Sequence, residues 1–149
     1  MTASTLEIRD ARDPLTRFAL EVMELTDEGT TFRCILDKEA FRGTVAANTY
    51  LVGPPSALFA AIAREWRGWQ GAKTWQERDC VLTLKAHHNT TGFVALNIEM
   101  RLDQPPELTT LASSLFLESA SLDRIARGAA DLFREDKSLV FLSSVARRS

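Results

Sequence analysis

Surplus charge of either sign is missing from this chain. Eighteen Lys and Arg stand against 20 Asp and Glu, and the balance is nine to ten both through Trp75 and after it. Without a basic stripe there is little to neutralise a phosphate backbone, which argues against nucleic acid as a partner. The closing Arg147-Arg148 pair reads as a solvated tail. Long apolar runs are missing too. No stretch approaches the ~18 residues of a membrane span, and the opening Met-Thr-Ala-Ser-Thr-Leu-Glu-Ile-Arg-Asp has neither the basic start nor the apolar run of a signal peptide. The expectation is a soluble cytoplasmic protein with no membrane contact.

Residues that carry chemistry are scarce. Cys34 and Cys80 lie far apart on what read as strands, and two isolated thiols in a cytosolic chain are expected to be reduced core residues. His87 and His88 are adjacent; neighbours on a strand point to opposite faces, so the pair cannot share one metal ion, and no Cys or Asp stands at a ligand spacing. No metal site and no cofactor is expected. No Gly-x-Ser-x-Gly elbow or phosphate-binding loop occurs. Glu99 and Asp103 lie four apart, as a catalytic carboxylate pair would, but charges on an outward sheet face are far more often solvated. Nothing supports an enzyme class.

What the chain does have is pattern. With 45% apolar residues over 149 positions it reads as one domain, 1–149. Leu6 and Ile8, then Phe18, Leu20 and Val22, then Phe32, Cys34 and Leu36, then Phe41, Val45, Ala47 and Leu51 give four period-two runs. The phase slips at Met23 and Leu25, as at a bulge. Pro54-Pro55-Ser56 breaks the sheet and starts a helix of about three turns, with Ser56 as cap and Leu58, Phe59, Ile62, Trp66 and Trp69 as its apolar stripe. Gly68 is placed to terminate it. A strand carrying Trp75, Cys80, Leu82, Leu84 and Ala86 turns at Asn89 to Gly92. The return strand has Val94, Leu96, Ile98, Met100 and Leu102 inward, and Asp103 to Pro106 ends it. Leu111, Ser113, Leu115 and Leu117 give another strand. Ser119 or Ser121 caps a second helix with Leu122, Ile125, Ala129, Leu132 and Phe133 inward. Leu139 to Leu142 is an extra edge strand or a docked tail. The order ββββ-α-βββ-α predicts an α+β fold with one antiparallel sheet of about seven strands and two helices. Val94, Leu96, Ile98 and Leu102 should share one core with Ile62, Ile125 and Leu132. No internal repeat is visible.

The most informative segment holds all three tryptophans, Trp66, Trp69 and Trp75, interleaved with Arg67, Gly68, Gly71 and Lys73. Tryptophan and arginine together are the composition of binding hot spots. Structural packing is the favoured reading for the cluster as a whole, with Trp66 in the core and Trp75 least explained by burial. Arg67, Trp69, Lys73 and Trp75 are the candidate partner-binding residues.

The spacing Trp66-Arg67-Gly68-Trp69-Gln70-Gly71 followed by Trp75 resembles a family of uncharacterised small bacterial proteins with a Trp-x-Gly-Trp-x-Gly-x-x-x-Trp segment after a helix. The resemblance runs over most of the chain. It departs where the family has Gly-His-Val and this chain has Gly92-Phe93-Val94. In size and element order the chain is also similar to immunity proteins that neutralise bacterial toxins, at the level of fold alone. That resemblance implies a small protein-binding domain without chemistry of its own. A separate option is a structural subunit that pairs through its edge strands as a homo-oligomer. The alternative is a small-molecule-binding or enzymatic domain with a pocket between sheet and first helix and Trp75 at its mouth.

Overall fold

The computed structural model describes residues 4–89, 91–102 and 108–140. Four strands come first: β1 (Thr5–Arg9), β2 (Arg17–Thr26), β3 (Gly29–Asp37) and β4 (Arg42–Asn48). They form an antiparallel meander in chain order. The register sets Leu6, Leu20, Cys34 and Val45 side by side, and Ile8, Phe18, Leu36 and Gly43 in the next row. These are the runs that alternate in the sequence, and their side chains are almost fully enclosed. The slip after Val22 is a bulge between Val22 and Glu24, which leaves Met23 and Leu25 half exposed. Phe41 and Leu51 lie beyond the ends of β4 and are exposed, so the fourth strand is shorter than its apolar pattern.

Helix α1 (Ser56–Arg64) follows and buries Leu58, Phe59 and Ile62. Its cap position is Pro55, and no side chain caps it, so Ser56 opens the helix instead of capping it. The helix is also shorter than its stripe. Glu65 closes it with its amide on the Ala61 carbonyl, and Gly68 N donates to Glu65 O at 2.9 Å in the turn beyond. Trp66 and Trp69 therefore leave the helical period.

The second half repeats the plan of the first. Strands β5 (Ala72–Gln76), β6 (Leu82–His88), β7 (Phe93–Arg101) and β8 (Thr110–Glu118) form another antiparallel meander, and α2 (Ser119–Leu132) follows. The expectation of one seven-stranded sheet is thus corrected to two sheets of four. The missing strand is β5, which had been merged with β6. Between them the Glu77 carboxylate accepts the amides of Asp79 (2.6 Å) and Val81 (3.3 Å), while Cys80 takes a left-handed φ of 63°. The segment has no Gly or Pro to advertise that turn. Cys80 is consequently exposed, against the expectation of a core thiol, whereas Cys34 is buried.

In β7 the inward residues are Val94, Leu96, Ile98 and Met100 as expected, with Leu96 between Ala86 and Leu115. Leu102 lies past the strand end and is exposed. The α2 stripe is as read from its spacing: Leu122, Ile125, Ala129, Leu132 and the following Phe133 are buried. Neither serine caps this helix. Ser119 Oγ donates to Gly92 O, Ser121 Oγ donates to Glu118 O, and the cap position is Glu118.

Both sheets and both helices share one core, which includes Ile62, Val94, Leu96, Ile98, Ile125 and Leu132. The helices pack on each other, and each reaches into the opposite half: α1 touches β5, and α2 touches β1. At the β1–β8 corner the Asp10 carboxylate accepts Phe116 N (3.0 Å) while Ala11 N donates to Phe116 O (2.8 Å), tying sheet to sheet. After α2, Ser138–Val140 begins a short helical turn instead of an edge strand. The rest of the expected tail, Phe141 and Leu142, lies outside the described residues, as does the strand-ending segment Asp103 to Pro106.

Candidate functional site

The Trp segment runs from the end of α1 to β5, and its three indoles have three different fates. Trp75 alternates into the interior of β5 and is 7% exposed. Its Nε1 donates to Gly53 O at 3.0 Å. Its ring lies 6.1 Å from Phe32, which in turn meets Phe133 edge-on at 5.3 Å. The interior beside α1 is therefore filled by Trp75 itself, and the residue least explained by burial is the one most completely packed. Trp66, expected in the core, is 48% exposed. The cause is the early helix end: a stripe extrapolated past Arg64 places Trp66 over the core, but the turn swings it outward.

Trp69 sits between these extremes, partly buried against the core. His88, at the end of β6, meets its ring edge-on at 5.5 Å. The Lys73 ammonium stands 5.1 Å from the same ring and is ion-paired with Glu65. His88 Nε2 also lies 3.2 Å from the Trp66 carbonyl, so it holds the turn in place. Trp69 Nε1 is enclosed without a hydrogen-bond partner, an arrangement that costs ~1–3 kcal/mol in a buried site. The Arg67 guanidinium lies 5.1 Å from the Trp66 ring centroid. Of the four candidates, Arg67 is exposed, Trp69 and Lys73 are half-buried, and Trp75 is enclosed. Arg67 and Trp66 make an exposed pair, and Trp69 and Lys73 a half-buried one.

Beside the exposed pair a groove of about 420 Å³ runs between the end of α1 and the start of α2, lined by Ala63, Trp66, Ser119, Ala120, Leu122 and Asp123. Sequence reasoning missed it because helix adjacency is a tertiary fact. His88 was likewise set aside as a turn residue; its partner Trp69 is 19 positions away in sequence.

A second polar cluster was also missed. The Asp136 carboxylate accepts Thr30 Oγ1 (2.5 Å), Thr49 Oγ1 (2.6 Å) and Ser138 N (2.9 Å), and the Ser138 hydroxyl as well. Burial pushes this carboxyl up, but the Ser138, Thr30 and Thr49 hydrogen bonds outweigh it and hold the group below its ordinary value. The spacing Asp136-x-Ser138 hints at a local turn, but Thr30 and Thr49 are unreachable from sequence. This cluster pins the chain after α2 to the first sheet. Burial, and secondarily the Glu77 carboxylate, raises the Cys34 thiol far above its usual range, so it stays protonated and unreactive. On the solvent face of β6 to β8 a smaller hollow of about 280 Å³ includes Lys85, Asn97, Glu99 and Ser114. The second member of the considered Glu99–Asp103 pair lies outside the described residues.

Among the described residues no three His, Cys, Asp or Glu side chains stand together as metal ligands. No helix among them is long and apolar enough to cross a membrane.

The profile of a family of unknown function, DUF6228, matches residues 9–136, from the end of β1 to the Asp136 cluster. The chain belongs to this family. No curated protein matches it, and no solved structure does. What the DUF6228 match adds is a boundary: the matched span takes in β2 to β8, both helices and the Trp segment, so the groove lies within the family's own fold.

Proposed function

We propose that this DUF6228 protein is a small bacterial cytoplasmic protein-binding domain, of the immunity type that covers the working site of a toxin, and that it docks through the Trp66–Arg67 corner. The observation that carries the reading is Trp66 itself. A large indole left 48% exposed, with a guanidinium over its ring and an apolar groove at its side, gives up burial that the fold could otherwise use. Such a residue has its value in a complex, where aromatic and arginine anchors carry most of the binding energy. Trp69, Lys73 and His88 support the turn from below, so the anchor is presented on a fixed base and little is lost in ordering it on binding.

The test uses the product of a neighbouring reading frame. Where that product is toxic on expression, co-expression of this chain should restore growth, and the purified pair should form a complex by titration calorimetry. Trp66→Ala should weaken that complex by about 2 kcal/mol, roughly 30-fold in Kd. A complex that tolerates both Trp66→Ala and Arg67→Ala would place the interface elsewhere and refute the reading.

A further inference from the structure

The charges around the groove are not balanced, and the imbalance names a partner. Its floor and walls are apolar at Ala63, Trp66, Ala120 and Leu122. Asp123, the one charged residue that lines the groove, is already paired with Arg127, and Glu65 nearby pairs with Lys73. Glu118, at the start of α2, faces a different hollow beside Arg9 and Arg124. The bases near it carry no paired acid, although the Arg67 guanidinium stands 5.1 Å from the Trp66 ring centroid. Arg64 and Arg67 flank Ala63 and Trp66 in sequence, are exposed, and make no ion pair among the described residues. A mainly apolar trough whose lining residues Ala63 and Trp66 are followed in the chain by two exposed guanidiniums without acid partners suits a ligand of opposite sign that also brings an apolar group to fill the trough.

The geometry points to an acidic segment of a partner protein that seats one apolar side chain between α1 and α2, its carboxylates meeting Arg64 and Arg67. This inference rests on the protein-binding reading above and narrows it to a partner chemistry. Rim charges of this kind set encounter rate and salt dependence, while the buried apolar anchor sets residence time. Binding should therefore weaken with salt, since the Debye length shortens to ~8 Å at physiological ionic strength.

Three fluorescein-labelled peptides test it by anisotropy. The first is a short run of Asp and Glu around a central Leu-Phe pair. The second has Lys and Arg in place of the acids, and the third has Ala in place of Leu-Phe. The first should bind the wild-type protein, more tightly at low salt, and lose about tenfold in affinity with Arg64→Glu/Arg67→Glu. It should lose at least as much with Trp66→Ala. The second should bind only the charge-reversed protein, and the third should bind neither. A thermal melt of each variant guards against a folding defect.

The inference is overturned if the basic peptide binds wild type as well as the acidic one does, if the variants leave acidic binding unchanged, or if no probe binds at millimolar concentration. It is also overturned if a second copy fills the groove. The β2–β3 hairpin of this chain itself offers Glu24, Asp27 and Glu28 beside the exposed Met23 and Leu25. Sedimentation equilibrium of the protein alone would then show a dimer that Trp66→Ala abolishes. The two levels separate cleanly. A natural partner weakened by Trp66→Ala but indifferent to the charge reversal removes only the acidic-segment inference, whereas one indifferent to Trp66→Ala removes the docking surface as well.

Discussion

Replacing each of two tryptophans in one short segment by alanine should give opposite results, and the difference can be worked out from the packing. Trp75 is 7% exposed, and its indole N–H satisfies the buried Gly53 carbonyl. Truncating a buried Trp to Ala costs ~3–5 kcal/mol in lost transfer energy and cavity. Leaving the Gly53 oxygen without its donor adds ~1 kcal/mol. Against a total stability of ~5–15 kcal/mol this is a large fraction. For a chain of this size each kcal/mol moves the midpoint by ~2–4 °C, so Trp75→Ala should lower Tm by about 10–20 °C. Trp66 is half in water and outside the helix, and Trp66→Ala should cost less than ~1 kcal/mol, a shift under ~4 °C. Trp75→Phe separates the two contributions, because it keeps an aromatic ring beside Phe32 but removes the N–H. Far-UV circular dichroism melts and urea titrations with a common m value are the assay. Equal losses for the two alanine variants, or a larger one for Trp66→Ala, would mean that the indoles have been assigned to the wrong environments, and the docking surface would lose its anchor.

Three further outcomes follow from the packing. In native protein a thiol reagent such as DTNB should modify one cysteine rapidly, Cys80 in its exposed turn, and reach Cys34 only after denaturant is added. Asp136→Asn should cost about 1–2 kcal/mol at neutral pH, allowing for solvent screening of a half-exposed group. Because the folded carboxyl is held below the ordinary 3.8, its contribution is complete above that pH and fades as pH falls through the lower folded value. Urea melts of wild type and variant should therefore converge in acid; a gap that persists or widens there would refute the sign. Gly29→Ala should destabilise by about 1–3 kcal/mol, since φ is +148° and a Cβ would stand 2.3 Å from Thr49 Oγ1. A melt at the wild-type temperature would show that the Thr49–Asp136 pin yields easily.

Strand phase was legible in the sequence wherever one face met the core, because period-two alternation records burial directly. Leu6 to Ile8, Phe32 to Leu36 and Val94 to Met100 were all placed on the correct side. The α2 stripe was legible for the same reason at the helical period. What failed were the ends. An apolar residue just past an element continues its pattern by chance, as Leu51, Trp66 and Leu102 do, and only backbone geometry decides where the hydrogen bonding stops. The break between β5 and β6 was invisible because Glu77 makes its turn with a carboxylate and Cys80 takes a left-handed conformation without glycine. Of the candidate site, the sequence located the segment but inverted two of its tryptophans. It held no trace of the groove, whose walls come from positions 63–66 and 119–123, nor of His88 beneath Trp69.

The two halves are alike in plan, and each helix leans on the first strand of the other half. During synthesis this becomes a matter of waiting. β1 leaves the ribosome well before α2, whose Gly128 comes so close to Leu6 that even a methyl group there would collide. At translation rates of ~5–20 residues per second the interval is on the order of ten seconds. Throughout it the first meander can pair its strands but cannot close its interior, and α1, although β5 soon follows it, has no α2 to pack on. A released fragment ending near residue 70 should therefore be sticky and protease-sensitive despite containing all four strands of the first sheet. The interior closes only when α2 arrives, which ties the fate of β1 to a helix made long after it.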